Sequence, residues 1–178
     1  LNELDLAVII PAPDVFAGIP EIGAIDLGLR KRTRRVASGS RCLLAGFPHR
    51  LQDHRSEQVL TTNVLGSHFV SSPEGARPDD IAVNWAEVFQ LSSGQHEDCP
   101  DAGGMSGGPV FLYSETVGKR VWTAERQLPL AGILHYQVVP GGASLLAHSS
   151  RALRKFILTH LKDRGDTQFR EAVAAAKR

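Results

Sequence analysis

Apolar and polar residues follow one another in short runs along most of this chain, and the runs are cut by glycine and proline. "LDLAVIIPAP" alternates, becomes continuously apolar and stops at two prolines, the pattern of a strand entering a loop. In "RVASGSRCLLAGFPHR" a glycine turn precedes the apolar stretch "CLLAGF", which predicts a buried strand ended by proline. "EQVLTTNVLGSHFVSS" predicts a strand or a hairpin, and "PEGARPDD" a loop. "IAVNWAEVFQLSS" fits a strand or a helix, and a strand is favoured. "GQHEDCPDAGG" predicts a loop, "PVFLYS" and "LPLAGILHYQVV" strands, and "PGGAS" a turn. The pattern changes at the end. "SSRALRKFILTHLKD" sets Leu153, Phe156, Ile157 and Leu161 at helical spacing, with Ser149 or Ser150 as N-cap and Gly165 as the stop. "DTQFREAVAAAKR" predicts a second helix that starts at Asp166. Many short strands closed by helix predict an all-β domain, an antiparallel barrel or sandwich with C-terminal helices.

Composition bounds the function. The chain has 178 residues, 42% of them apolar and 22% charged, enough for one domain with a real core or two very small ones. A net charge of +1 gives no bulk attraction to nucleic acid or anionic lipid. No apolar run approaches the roughly 20 residues needed to span a bilayer. No charged segment precedes a short apolar one as in a signal peptide. The first residue is Leu1 rather than Met, so the true start, with any targeting signal, is expected to lie upstream. Two cysteines, Cys42 and Cys99, are too few for a disulfide scaffold; one bridge is open, and two buried thiols are the simpler expectation. No Cys/His spacing suggests zinc, and no phosphate-loop G-K-[ST] follows the glycines. "RKRTRR", from Arg30 to Arg35, has the footprint of a nucleic-acid contact but no aromatic residues among the bases, so a solvated linker is favoured.

The chemistry concentrates in "DAGGMSGGPVF", residues 101 to 111, where Ser106 sits among four glycines. A serine hydroxyl becomes a nucleophile only with a base to take its proton and donors to hold the oxyanion. Gly104 to Gly108 matches G-x-S-x-G, but the elbow of α/β-hydrolases needs a strand before the serine and a helix after it. Here a loop precedes and a strand follows, so an esterase of that type is the weaker alternative.

G-x-S-G-G-P followed by an apolar strand resembles the nucleophile loop of the trypsin-like, chymotrypsin-fold serine peptidases. "LDLAVI", "GSRCLLAGFP", "LPLAGILHY" and "SSRALRKFI" resemble, in order, the strand with the triad aspartate, the first strand of the second barrel, the strand lining the cleft and the closing helix. The resemblance covers roughly residues 3 to 160. It implies a chymotrypsin-like antiparallel β-barrel, in which 1–28 end the first barrel, 29–40 form a basic linker, 41–148 form the second barrel and 149–178 form C-terminal helices. It makes Ser106 the nucleophile, Gly104 and Ser106 the oxyanion donors and Asp5 the residue that orients the catalytic histidine. It sets His135, Tyr136 and Gln137 on the substrate-pairing strand, Pro100 and Asp101 near the base of the primary specificity pocket, and Gly142 at its wall.

The family order is histidine, aspartate, serine, and every histidine here follows Asp5. The resemblance therefore places the catalytic histidine before Leu1, and this stretch alone is expected to be a poor enzyme. Met105 stands where trypsin has the aspartate that pairs with a freed N-terminus, as in bacterial members that need no such activation. Cys42 matches a position that is disulfide-bonded in many animal relatives, but its partner position, near Leu112, is not cysteine, which implies a buried free thiol. The implied partners are a polypeptide substrate and the missing N-terminal barrel, with no metal or cofactor. The lack of a disulfide framework slightly favours a bacterial cytoplasmic setting. The alternative from another class is a degenerate protease kept as a binding or regulatory module.

Overall fold

The computed structural model describes residues 36–47, 63–72, 76–98, 101–113, 128–135 and 144–163. Eight strands and one helix lie within them: β1 (Arg41–Gly46), β2 (Asn63–Val70), β3 (Asp80–Asn84), β4 (Glu87–Gln90), β5 (His96–Asp98), β6 (Pro109–Leu112), β7 (Leu130–Leu134), β8 (Ser144–Ser149) and α1 (Ser150–Asp163). All pairings are antiparallel, in the order β1-β6-β7-β8-β3-β2-β4-β5, and β1 also pairs with β2. That last pairing closes six strands, β1-β2-β3-β8-β7-β6, into a barrel, and β4 and β5 extend from it as a hairpin. Closure leaves those six strands no open edge.

The barrel interior follows from strand alternation. In β1, Cys42, Leu44 and Gly46 are the buried positions, and Cys42 and Leu44 point into the core. Val83, Leu134, Leu145 and Ala147 join them with Leu65, Phe69, Val110 and Met105. Cys42 faces Leu112 across the β1–β6 pair and is a buried free thiol. Burial pushes its pKa up to about 12.

The expected strand over 81–93 is two strands. Asn84 Oδ1 accepts the Ala86 amide at 3.1 Å, and this short turn bends the chain at Trp85. β3 then pairs with Phe69 and Val70 of β2, while β4 pairs with Leu65 and Gly66 further along the same strand. The loop expected over 94–104 begins with a strand, because a turn with Gly94 at φ 72° folds β5 back onto β4. β8 escaped the pattern altogether: Leu145 to His148 are all buried, so no alternation marks them.

α1 begins where the spacing predicts. Ser149 Oγ accepts the Ala152 amide at 3.2 Å, which fixes Ser149 as the N-cap. Ala152 and Leu153 are buried, Arg151 and Lys155 are exposed, and the helix packs on β7 and β8. Among the described residues no helix is long and apolar enough to cross a membrane. The segments expected to end the first barrel, the "RKRTRR" run and the second helix lie outside the described residues.

Candidate functional site

The glycine-rich loop is two successive turns. The Met105 amide donates to the Ala102 carbonyl at 3.0 Å, and the Gly108 amide to the Met105 carbonyl at 2.9 Å. Gly104 and Gly107 sit at the third position of each turn with φ of 85° and 82°, the type II signature that explains the glycines. Asp101 Oδ1 accepts the Gly103 amide at 2.9 Å, so this carboxylate tightens its own loop. Ala102 and Met105 point inward and are buried, whereas Ser106, the second residue of the second turn, is exposed.

The loop is held on both sides. The Phe47 amide reaches the Gly104 carbonyl at 3.4 Å. The Gly107 amide donates to Leu134, and Leu134 returns its amide to Gly108. Among the described residues, the Gly104 and Ser106 amides donate to no group. Two amides without an acceptor among the described residues, beside an exposed hydroxyl, are suited to an oxyanion that forms on a carbonyl attacked by that hydroxyl.

One residue beyond Leu134 is His135, whose side chain is turned away into a buried cluster. Asp80 stands directly opposite His148 on the β3–β8 pair, and Ile133 faces His148 from β7. Asp80, His148 and His135 therefore share the outer face of the barrel, opposite the Val83–Leu134–Ala147 core. His148 Nδ1 lies 3.0 Å from Asp80 Oδ1 in a hydrogen bond. His135 Nε2 lies 3.3 Å from Asp80 Oδ2, close enough for an ion pair but without hydrogen-bond geometry. The two imidazoles stack with centroids 4.0 Å apart and planes 10° from parallel. The His148 and Asp80 side chains are 1% and 2% exposed. Burial, then the neighbouring His148, pushes the His135 pKa below its ordinary value, against the opposing pull of Asp80; Arg77 adds a smaller downward push. Buried side-chain nitrogens without a hydrogen-bond partner, among the described residues, are Arg77 Nη1, His135 Nε2 and His148 Nε2.

Of the residues singled out from sequence, the structure brings Gly104 and Ser106 together, with Asp101 at the head of the same loop. His135 follows the strand bonded to that loop, with its side chain committed to Asp80. Asp5, Pro100, Tyr136, Gln137 and Gly142 lie outside the described residues. Asp80 and His148 were missed: they are 68 residues apart, one in a stretch read as loop and the other in the unmarked strand β8. No protein-family model, curated protein or solved structure matches this chain.

Proposed function

We propose that this chain carries the nucleophile-bearing barrel of a trypsin-like serine endopeptidase. The observation that carries the reading is the exposed Ser106 in the second of two successive type II turns, with the amides of Gly104 and Ser106 donating to no described residue. Its support is the setting, a closed six-stranded antiparallel barrel with the loop bonded to β7.

In this reading Ser106 Oγ attacks a peptide carbonyl while a histidine takes its proton. The Gly104 and Ser106 amides receive the oxyanion, the histidine returns the proton to the leaving amine, and water then cleaves the acyl-enzyme by the same steps reversed. Ser106 is hydrogen-bonded to no described histidine, and the resemblance assigns the base to a residue upstream of Leu1, oriented by Asp5. The test is labelling of a protein that includes the upstream sequence with a fluorophosphonate, beside its Ser106→Ala variant. Labelling lost in the variant supports the peptidase. A folded protein that stays unlabelled yet binds peptides fits a protease-like binding module instead.

A further inference from the structure

We infer that Asp80, His135 and His148 form a binding site for one divalent zinc-like cation on the outer face of the barrel. This inference is independent of the chemistry at Ser106. Each of the three residues offers a ligand atom, and the three atoms lie within 4.8 Å of one another. The set, two imidazoles and one carboxylate, is a mixture that zinc accepts and that softer or harder ions favour less.

The contact between His135 and Asp80 is the most specific observation. Its 3.3 Å separation would suit a weak hydrogen bond, yet the geometry is not that of one. Two ligands at about 2.0–2.1 Å from a tetrahedral zinc stand about 3.3–3.4 Å apart. The same carboxylate meets His148 Nδ1 at 3.0 Å from its other oxygen. Both imidazoles thus turn a nitrogen towards one carboxylate, where a cation could sit among the three.

Asp80 and His148 come from β3 and β8 and His135 follows β7, so the ion would tie those three segments together. Three protein ligands would leave the fourth position of a tetrahedral ion for water or a small anion.

The purified chain, stripped with a chelator and dialysed, is titrated with zinc chloride and followed by thermal unfolding. Bound metal is counted after gel filtration. The expected result is one equivalent per chain and a midpoint raised by several degrees. Both are lost in Asp80→Asn and in His135→Gln and kept in His96→Ala, which removes an exposed histidine elsewhere. Cobalt(II) substituted into the wild-type chain should give the intense visible bands of a four-coordinate site, a readout that does not depend on either variant folding. A folded wild-type chain that retains no zinc, shows no zinc-dependent midpoint and gives no such cobalt bands overturns the site. So does a zinc effect unchanged in folded Asp80→Asn.

Discussion

The Gly107 amide donates to the Leu134 carbonyl across 2.7 Å, so the loop that carries Ser106 is a continuation of the β6–β7 pair. Gly107 reaches that bond with φ at 82°, and a Cβ built there would meet nothing within 4 Å. Backbone strain is then the main penalty for a side chain. Gly107→Ala should cost about 1 kcal/mol, the left-handed penalty partly offset by a stiffer unfolded chain. The shift of the denaturant midpoint at unchanged slope measures it. A neutral or stabilising substitution would show that the turn is not held as described.

Met105 is the inward anchor of the same loop. It occupies the space a side chain at position 46 would need: a Cβ on Gly46 would lie 2.6 Å from Met105 Sδ. Gly46→Ala should therefore destabilise by about 1–3 kcal/mol through overpacking. Shortening Met105 to alanine leaves a cavity worth about 2–5 kcal/mol. The double variant should cost less than the two singles added, since the new methyl enters the vacated space. Strict additivity in the double-mutant cycle would separate the two residues.

Cys42 gives a pH dependence with a definite sign. Its folded pKa of about 12 lies above the ordinary value of 9.0, so the folded state favours the neutral thiol. The stability linked to this group is complete below pH 9.0 and falls as pH rises from there towards 12. In a Cys99→Ser chain, whose one remaining thiol is Cys42, a disulfide reagent at pH 8 should react only as fast as the barrel opens. Denaturant should speed that reaction many-fold. Rapid modification of the native chain would contradict the burial of Cys42 in the barrel core.

The helix cap is a local test of how α1 joins β8. Ser149 is the last residue of β8, and its hydroxyl accepts the Ala152 amide. Ser149→Ala should cost about 1 kcal/mol, while Ser149→Asp, which keeps an acceptor, should recover most of it. Equal stabilities of the two variants would remove the cap from the account.

Much of the barrel was legible because its strands are half-buried and alternate. The buried positions of β1 are every second residue, and the spacing of Leu153, Phe156 and Ile157 located α1. The bend at Asn84 was not legible: it depends on a side chain closing a turn inside a run that otherwise reads as one strand. β8 was invisible for the opposite reason, being buried on both faces. In the loop, the crowding of glycines around Ser106 pointed to an unusual backbone, and the φ values of Gly104 and Gly107 are its physical content. The Asp80–His148 pair had no local trace, because cross-strand register alone brings the two residues opposite each other.

The central claim is that Ser106 is a nucleophile served by the amides of Gly104 and Ser106. The most direct measurement is the intact mass of the upstream-extended protein after exposure to a fluorophosphonate, with fragmentation to locate the adduct. The account predicts a single phosphonyl adduct on Ser106, absent from Ser106→Ala and blocked by prior unfolding. A folded protein that gains no adduct, or gains one at another residue, would contradict it.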